Sequence, residues 1–368
     1  MNFHTPTTMA SPDIPKSYKA VIYDKPGEIS TKIVDLDTPT PGPGEVLINL
    51  THSGVCHSDL GIMTNSWKAL PHPTQAGQVG GHEGVGKIVA MGPGTENAAV
   101  KVGQRVGVKW ISGICGGCPA CLSGHDGVCF NQKVSGYYTP GTYQQYVLGP
   151  ADYVTPIPDE LDSAAAAPML CAGVTVYSAF RKSTAQSGDF VVLLGAGGGL
   201  GHIATQMGSR GMGMRIIGID HGSKKDLVLS SGAEHFIDHT TSKDVTADVQ
   251  ALTGGLGAQA VLVLTAANGA YASGMQLLKF GGTLVCVGLP EGELQPIATC
   301  FPQVMVAKEQ KVVGSAVGNR KEAIETLDLA ARGIIKTHYR TAKMDELTTI
   351  FQEMNDQKIQ GRVVLDLQ

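Results

Sequence analysis

From Asp189 onward, short apolar runs alternate with segments of helical character, and this alternation restricts the fold more than any other feature of the chain. The predicted strands are DFVVLLG, RIIGID, HFIDH, QAVLVLT and TLVCVG, with predicted helices between them such as LGHIATQMGSRGM and KKDLVLSSGA. Strands and helices that alternate at this spacing form right-handed βαβ units around a parallel sheet. The sequence therefore predicts an α/β fold with a doubly wound parallel sheet in this half.

The chain before Cys171 has a different character. Short β-rich runs such as YKAVIYD and EVLINLTHSGV are separated by turn sequences such as PGPGE and GPGTEN, which predicts an irregular and mostly antiparallel β domain. A chain of 368 residues can bury a separate core in each of two domains. We expect a short disordered tail at 1–16, a β domain at 17–171, an α/β domain at 172–317 and a segment at 318–368 that returns to the first domain.

Composition and charge exclude several classes of function. The formal net charge is −4 and no basic run is longer than a pair such as Lys224-Lys225, so we expect no nucleic-acid partner. No apolar stretch reaches the ~20 residues of a membrane span, so we expect no membrane. The first sixteen residues lack the apolar core of a signal peptide and the arginines of a transit peptide, which predicts a cytoplasmic protein.

Four cysteines follow one another within the run CGGCPACLSGHDGVC. They are Cys115, Cys118, Cys121 and Cys129, in the spacing C-x2-C-x2-C-x7-C. Short gaps with glycine and proline let successive thiolates face one centre, as in a closed, structural Zn²⁺ site. The alternatives are a loop stapled by disulfides or four unrelated thiols, and disulfides are rare inside cells. A structural zinc performs no chemistry, so the reacting groups must lie elsewhere.

Glycines stand between the first strand of the α/β half and the helix that follows. The segment AGGGLG after Gly195 lacks a strict G-x-G-x-x-G frame. Glycines at this position let backbone N–H groups approach a phosphate, although an ordinary tight turn has the same composition. We expect a dinucleotide to bind at Gly195, Gly197, Gly198, Gly199, Leu200 and Gly201.

The next strand supports a dinucleotide. RIIGID ends in Asp220, nineteen residues after Gly201, where a carboxylate can accept the hydroxyls of the adenosine ribose and would repel a 2′-phosphate. We therefore expect NAD(H) rather than NADP(H), with a solvated strand-end Asp220 as the alternative. Lys224 is expected to bond to the same ribose, unless it is an ordinary solvated lysine.

Three further residues have the chemistry of a catalytic metal set. Cys56 lies in SGVCHSDL, His82 in GGHEGVG and Cys171 in PMLCAGVTVY. Two thiolates and one imidazole can hold Zn²⁺ with a fourth position open for water or substrate. These residues are far apart in the sequence, so spacing alone does not nominate them. The alternative is that each cysteine is an inert, small hydrophobic residue, which is the interpretation we keep for Cys286 and Cys300.

Taken together and in order, these segments identify a family. GVCHSDL, GGHEGVG, the four-cysteine run, PMLCAGVTVY, AGGGLG with Asp220, VGSAVGNR and the closing GRVV resemble the zinc-dependent medium-chain alcohol dehydrogenases, most closely the yeast-type fungal branch. The similarity covers residues 17 to 368. It implies a GroES-like catalytic domain, a Rossmann coenzyme domain, and an active site in the cleft between them.

The resemblance also implies roles for single residues. The catalytic Zn²⁺ would be held by Cys56, His82 and Cys171, with Glu83 behind it and Asp59 orienting His82. Ser58 would take the proton of the substrate alcohol, while hydride passes to the nicotinamide ring. The expected cofactors are two zinc ions per subunit, one catalytic and one structural, together with NAD(H).

Further contacts are implied for cofactor and substrate. His57 and Arg362 would contact the cofactor pyrophosphate, and a surface ion pair is the alternative for each. Val287 would also contact the cofactor, and Leu289 would lie near the nicotinamide and the substrate. Trp67 and Trp110 would narrow the substrate channel, unless they are ordinary core residues.

One position departs from the family pattern. Many members carry a histidine three residues after the hydroxyl-bearing residue, which passes the proton to solvent, and here that position is Gly61. We expect alcohol oxidation near neutral pH to be weak relative to carbonyl reduction. The loop IMTNSWKALPHPTQAGQ also differs from the ethanol-type pattern, so a bulkier aldehyde or ketone of a fungal secondary-metabolite pathway is the alternative substrate.

The leading prediction is an NAD-linked, zinc-dependent alcohol dehydrogenase or carbonyl reductase acting on a small molecule. A zinc- or NAD-binding protein without turnover is a different class, and the intact set of Cys56, His82 and Cys171 with Ser58 argues against it. The family branch implies a homo-oligomer, either a tetramer or a dimer.

Overall fold

The computed structural model describes residues 14–68 and 70–368, so most of the expected tail at 1–16 lies outside the described residues. In chain order, the strands are β1 (Ser17–Tyr23), β2 (Thr31–Asp37), β3 (Glu45–Val55), β4 (Gln78–Val79), β5 (Gly84–Met91), β6 (Arg105–Val108), β7 (Ile111–Gly113), β8 (Lys133–Val134), β9 (Tyr146–Pro150), β10 (Thr155–Pro156), β11 (Phe190–Leu194), β12 (Arg215–Asp220), β13 (His235–Asp238), β14 (Ala258–Val263), β15 (Leu278–Cys286), β16 (Lys311–Gly314), β17 (Tyr339–Lys343) and β18 (Arg362–Asp366).

The helices are α1 (His57–Thr64), α2 (Pro119–Leu122), α3 (Ser163–Ala166), α4 (Ala172–Ser183), α5 (Gly201–Gln206), α6 (Lys225–Ser230), α7 (Val245–Leu252), α8 (Asn268–Gln276), α9 (Pro302–Lys308), α10 (Arg320–Ala331) and α11 (Leu347–Asn355). Short 3₁₀ turns lie at Asp126–Val128, Ala167–Leu170, Gly222–Lys224 and Met344–Glu346, and α5 continues into a wider π turn at Met207–Gly211.

The α/β half forms the parallel sheet that the alternation predicts. Its strand order is β13-β12-β11-β14-β15-β16, and every neighbouring pair is parallel. In β11 the run Val191–Leu193 is fully buried because helices cover both faces of the sheet. The predicted doubly wound fold is confirmed.

The strand order places a crevice at one edge of this sheet. β12 lies on one side of β11 and β14 lies on the other, so the chain that leaves the carboxyl end of β11 sits where the connections diverge. Ligands of open α/β sheets bind at such a point. The glycine segment follows β11, Asp220 ends β12 and Val287 follows β15, so all three predicted cofactor contacts meet at this edge.

The β-rich half is built around the long strand β3. The main sheet has the order β10-β6-β5-β3-β18-β17, with β9 also paired to β3, and a smaller sheet has the order β2-β1-β4. All of these pairs are antiparallel except β17 with β18. The prediction of a mostly antiparallel β half is therefore confirmed, while the domain limits at 171 and 317 remain predictions.

The last strand belongs to the first half of the chain. β18 pairs with β3 through Val363 opposite Val55 and Leu365 opposite Ser53. This pairing brings Arg362, the first residue of β18, next to the end of β3, where Cys56 follows. The C-terminal segment thus contributes a cationic side chain to the region of the predicted metal ligands.

A single hydrophobic cluster joins the two halves. It contains Val85 and Val364 from the main β sheet together with Leu193 and Ile203 from the α/β half, all of them fully buried. The helices α3 and α4 lie in the same cluster. Within the described residues no single helix is long and apolar enough to cross a membrane, and only the bent pair Ser163–Leu170 with Ala172–Ser183 passes that test when joined.

Candidate active site

Three side chains predicted as metal ligands lie together, although they come from distant parts of the chain. Cys56 follows β3 and precedes α1, His82 lies in the turn before β5, and Cys171 precedes α4. Their donor atoms and a carboxylate oxygen of Glu83 all lie within 4.8 Å of one another, and all four residues are buried. The cluster has the composition of a metal site.

The spacing of these atoms fits a tetrahedral zinc ion. Cys56 Sγ lies 3.9 Å from Cys171 Sγ, and His82 Nε2 lies 3.2 Å from Cys171 Sγ. Sulfur and nitrogen ligands at ordinary zinc distances in a tetrahedron are about 3.5–3.8 Å apart. The Cys171 thiol donates toward Cys56 and holds the pKa of Cys56 well below its ordinary value, so a thiolate is available. The residues present therefore fit Zn²⁺.

Asp59 fixes the orientation of His82. Asp59 Oδ1 accepts a hydrogen bond from His82 Nδ1 at 2.8 Å, which leaves Nε2 bare toward the cysteines. Asp59 Oδ2 accepts from the backbone N–H of Cys56 at 3.0 Å and from the hydroxyl of Tyr143 at 2.7 Å. Sequence reasoning missed Tyr143, because a tyrosine 84 residues away carries no spacing signal.

Glu83 and Arg362 form a buried ion pair behind the cluster, with the guanidinium Nη2 donating to Glu83 Oε1. Burial raises the pKa of the Glu83 carboxyl to about 7, even beside this cation. Glu83 Oε2 and Arg362 Nε are buried and have no hydrogen-bond partner among the described residues. Each residue of the pair thus has one polar atom left for a ligand. The Glu83 oxygen can bind a metal, and the Arg362 N–H can donate to an anion. Arg362 is only 5 % exposed. It therefore does not form the surface ion pair that was the alternative interpretation of this residue.

The four-cysteine run forms a separate lobe around α2. Cys118 Sγ lies 3.6 Å from Cys121 Sγ and 3.9 Å from Cys129 Sγ, and Cys129 Sγ lies 3.6 Å from Cys115 Sγ. These distances exceed the S–S bond length of about 2.05 Å, which excludes the disulfide alternative in this structure. They match the separation of about 3.8 Å between sulfurs in a Zn–S₄ tetrahedron, so the lobe also fits Zn²⁺.

The glycine segment after β11 forms a cradle that side chains would fill. A Cβ at Gly201 would lie 2.1 Å from the carbonyl oxygen of Gly195, and Gly195 itself has a φ of 88°. A Cβ at Gly199 would lie 3.1 Å from Arg362 Cδ. The buried guanidinium with its unused Nε therefore lies beside the bare backbone of the cradle, an arrangement that fits the phosphates of a dinucleotide.

Asp220 is held at the rim of this cradle. It is 8 % exposed, its Oδ2 accepts from the N–H of Gly197 at 2.8 Å and its Oδ1 accepts from the N–H of His221 at 2.8 Å. Lys224 Nζ lies 3.3 Å from Asp220 Oδ1. Burial and these bonds argue against a solvated strand-end residue, and they place the carboxylate and Lys224 side by side, as the ribose contact predicts.

A cleft of about 1600 Å³ joins the metal cluster to the cradle. Pockets for one small ligand are commonly about 300–1000 Å³, so this cleft has room for a dinucleotide and a substrate together. The predicted residues that line it are Cys56, His57, Ser58, Trp67, Trp110, Cys171, Gly199, Leu200, Val287, Leu289 and Arg362.

Two tryptophans stand over the metal cluster. The Trp110 ring lies edge-on to the His82 ring at 4.9 Å between centroids, and the Trp67 ring lies 6.2 Å from Trp110. Both side chains are half-buried and line the cleft. They form an aromatic wall beside the imidazole, and their role in narrowing a substrate channel remains a prediction.

Trp67 also fills the space beside Gly61. A Cβ at Gly61 would lie 3.0 Å from Trp67 Cε2 and 3.0 Å from its Nε1, tighter than ordinary contact. The indole N–H is buried without a hydrogen-bond partner among the described residues. The edge of the Trp67 indole ring therefore occupies the space that a side chain at position 61 would need.

His57 and Ser58 begin α1 at the mouth of the cleft. Ser58 Oγ lies 3.6 Å from Cys56 Sγ and is half-buried. His57 Nε2 lies 2.9 Å from Glu291 Oε1, and the two side chains are 49 % and 40 % exposed. This is the surface ion pair that was the alternative for His57, and its pyrophosphate contact remains a prediction. Leu289, which is 55 % exposed, precedes Glu291 in the same loop.

Two family models match the chain. The family model described as the alcohol dehydrogenase GroES-like domain matches residues 42–159, and the one described as zinc-binding dehydrogenase matches residues 199–332. Among solved structures, acetophenone reductase from Geotrichum candidum in complex with NAD has a TM-score of 0.83 and 28 % identity, covering 96 % of this chain and 98 % of that one.

The sequence relatives are alcohol dehydrogenases. Alcohol dehydrogenase of Schizosaccharomyces pombe is 37 % identical, covering 98 % of this chain and 99 % of its own. Alcohol dehydrogenase 2 of Emericella nidulans is 63 % identical over 366 residues, covering 98 % of this chain and 100 % of its own. Identity at this level along nearly the whole of both chains assigns the family and confirms the resemblance: the chain belongs to the zinc-dependent medium-chain alcohol dehydrogenases.

Proposed function

We propose that the protein interconverts an alcohol and its carbonyl compound with NAD(H), using Zn²⁺ at Cys56, His82 and Cys171. The observation that carries this function is that a zinc-type donor set and a glycine cradle open into one cleft. The relatives that are named alcohol dehydrogenases support the alcohol as substrate. They favour it over the specialised carbonyl reductase with a bulkier substrate.

When bound, Zn²⁺ polarises the substrate oxygen, and NAD(H) accepts or supplies the hydride. The chain holds its own groups ready for that chemistry. Ser58 Oγ, beside Cys56 and open to the cleft, takes the hydroxyl proton as the alcohol is oxidised and returns it during reduction. Trp67 and Trp110 shield the reacting centre from water, which strengthens the electrostatic interactions there.

The dinucleotide is proposed to lie along the cradle. Its pyrophosphate would meet the backbone at Gly197–Gly201 and the Arg362 guanidinium, and its adenosine ribose would meet Asp220 and Lys224. Val287 and Leu289, which line the cleft beyond the cradle, would contact the nicotinamide end. The carboxylate of Asp220 would repel a 2′-phosphate, so NAD(H) is preferred over NADP(H).

The proton leaves Ser58 without a histidine at position 61. Since Trp67 packs against Gly61, water must carry the proton to solvent, and alcohol oxidation near neutral pH is expected to be slow relative to carbonyl reduction. Imidazole buffer should therefore raise the oxidation rate at pH 7. An oxidation rate that does not respond to imidazole at constant ionic strength would contradict this proton path.

We further propose that the four-cysteine lobe holds a structural zinc and that the protein is a cytoplasmic homo-oligomer. The sulfur spacing supports the zinc. For the oligomer, the support is that β16 is an edge strand and that Leu294, Phe301 and Val306, in the chain between β15 and β16, are 82 %, 54 % and 79 % exposed. An open sheet edge and exposed apolar side chains both favour association with another chain.

The test is NADH oxidation, followed by absorbance, with a panel of aldehydes and ketones. Parallel reactions contain a zinc chelator or NADPH in place of NADH. We expect turnover that needs zinc and prefers NADH. Absence of turnover in a protein that binds two zinc ions and NADH would refute the enzyme, and equal use of NADPH would refute the role of Asp220.

A further inference from the structure

Two side chains on one face of α5 attach the cradle to the C-terminal segment. His202 and Gln206 are four residues apart, so they lie one above the other on the helix. Gln206 Nε2 donates to the carbonyl of Lys336 at 2.9 Å, and its Oε1 accepts from the N–H of Lys336 at 2.9 Å. His202 Nε2 accepts from the N–H of His338 at 3.1 Å. Both side chains are buried.

The hydrogen bonds fix the form of His202. Its Nδ1 lies 2.9 Å from the carbonyl oxygen of Gly198, which can only accept, so Nδ1 carries the proton. Its Nε2 is then bare and accepts from His338. A neutral imidazole therefore connects the carbonyl of a cradle glycine directly to the backbone of the C-terminal segment, with both ring nitrogens satisfied.

The segment at 336–338 in turn holds Arg362. The carbonyl oxygen of His338 accepts from the N–H of Arg362 at 2.8 Å. The preceding Gly361 has a φ of 71°, and a Cβ there would lie 2.3 Å from the same carbonyl oxygen. This close approach fixes the position of the Arg362 backbone at the start of β18. It therefore also fixes the direction in which the Arg362 side chain extends.

The Arg362 side chain is shared by two sites. Its guanidinium pairs with Glu83, which contributes a carboxylate oxygen to the metal cluster, and its Cδ and Nη1 lie 3.1 Å and 3.2 Å from the Cβ position of Gly199 in the cradle. A guanidinium that serves both a carboxylate at the metal cluster and an anion in the cradle cannot change one contact without affecting the other.

We propose that His202 and Gln206 are positioning residues that hold Arg362 between the cradle and Glu83, so that filling the cradle with a diphosphate strengthens metal retention at Cys56, His82 and Cys171. The inference rests on the proposed function, since it needs both ligands to bind. Neither side chain touches substrate. They act through the backbone at 336–338 and the placement of one guanidinium.

The experiment measures metal retention, with ADP-ribose as a probe that has the diphosphate and both riboses but lacks the nicotinamide ring and so cannot exchange a hydride. Zinc is titrated with a chelator, with and without saturating ADP-ribose, and the zinc of the four-cysteine lobe serves as an internal reference. In the wild type, ADP-ribose should raise the chelator concentration needed for half-removal by about 5-fold or more, the usual size of coupling between sites. By reciprocity, removing that zinc should weaken ADP-ribose binding by the same factor.

Three variants and one control identify the residues responsible. His202→Leu and Gln206→Leu should each bring the shift below about 2-fold, well under the usual coupling. His202→Gln can still donate and accept, so it should retain the shift. His338→Ala removes a side chain but keeps the backbone N–H that His202 binds, and it should behave as the wild type. If His202→Leu does not fold, Gln206→Leu provides the same test.

The outcomes separate this inference from the proposed function. If zinc and ADP-ribose both bind but the wild type shows no shift, the inference is wrong and the proposed function stands. If His202→Leu and Gln206→Leu keep the full shift, the coupling does not run through these side chains and the inference is again wrong. If ADP-ribose or the second zinc does not bind to the wild type, the proposed function itself fails.

Discussion

At the scale of single residues, Gly54 in β3 shows how closely the site is packed. A Cβ added at Gly54 would lie 1.8 Å from Glu83 Oε2, far inside van der Waals contact. The carboxylate behind the metal cluster therefore occupies the volume that any other residue at position 54 would need. Because position 54 of β3 has no side chain, the Glu83 carboxylate has room to lie beside the metal cluster and Arg362.

The substitution Gly54→Ala tests this packing. We expect it to displace Glu83, to lower the free energy of unfolding by about 1–3 kcal/mol as overpacked core sites do, and to weaken zinc retention at the cluster. Urea denaturation and a chelator titration measure the two effects. Gly269→Ala, where an added Cβ meets nothing within 4 Å, is the control and should lower neither. A Gly54→Ala protein that matches the wild type in both would contradict the packing.

His202 predicts a pH dependence of stability. Burial lowers its pKa to about 4, below the unfolded value of about 6.5. Between these two pKa values the imidazole is protonated in the unfolded chain and neutral in the folded chain. The contribution of His202 to the free energy of unfolding is therefore fully present above pH 6.5 and decreases as the pH falls toward 4. The loss should reach about 3 kcal/mol at pH 4.

Urea denaturation between pH 7 and pH 4 measures this loss. His202→Gln, which does not titrate, should have a flatter profile than the wild type. His239→Gln, at an exposed histidine, is the matched control for the loss of one imidazole. Parallel profiles for the wild type and His202→Gln would contradict the assignment.

Residue chemistry explains which members of the site could be predicted from the sequence and which could not. Cys56, His82 and Cys171 were predictable because thiolate and imidazole in family motifs have few other uses, and the structure brings them within reach of one ion. Tyr143 and Glu291 were not predictable. A tyrosine hydroxyl or a carboxylate is common on any chain, and only the folded positions beside Asp59 and His57 give these two a role.

At the scale of elements, the four-cysteine lobe has little structure of its own. Its helix α2 covers only Pro119–Leu122, and Leu122 and Phe130 are 76 % and 75 % exposed. A segment that buries so few apolar side chains cannot offset its conformational entropy through packing. Metal ligation is then the interaction that orders it.

Replacing one ligand should disorder the lobe alone. In Cys121→Ser we expect loss of one zinc per chain and rapid proteolysis within residues 115–131, with the parallel sheet retained. Limited proteolysis, metal analysis and far-ultraviolet circular dichroism report these three results. Cys300→Ser, at a half-buried cysteine outside both clusters, should keep both zinc ions. Resistance of the Cys121→Ser lobe to protease would show that packing orders it.

Elements of the α/β half were easier to predict than those of the β half. Alternating runs such as VVLL and RIIGI carry a local signal for buried parallel strands, and the strand order confirmed it. The pairing of β18 with β3 could not be derived from local pattern, because it joins Leu365 to Ser53 across most of the chain. Such a pairing depends on tertiary packing rather than on propensity.

At the scale of the whole molecule, one core crosses both halves. Val85 and Val364 pack in the same cluster as Leu193 and Ile203, and the return of β18 covers β3. Neither half can lose its structure without exposing apolar surface of the other. The molecule is thus expected to unfold as one cooperative unit despite its two sheets.

Two spectroscopic probes can test this cooperativity. The sequence has two tryptophans, Trp67 and Trp110, and both report on the β-rich half, whereas far-ultraviolet circular dichroism reports largely on the helices around the parallel sheet. In the zinc-loaded protein the two signals should have the same denaturation midpoint. Separate midpoints would show that the halves unfold independently.

The pairing of β18 with β3 also sets an order of events during synthesis. The ion pair between Glu83 and Arg362 joins residues that are 279 positions apart, so at about 5–20 residues per second the ribosome needs roughly 15–60 s between them. During that interval β3 lacks its neighbour and the nascent chain exposes an open sheet edge, while the parallel sheet at 190–314 can already assemble. The half of the enzyme that is made first is therefore completed last.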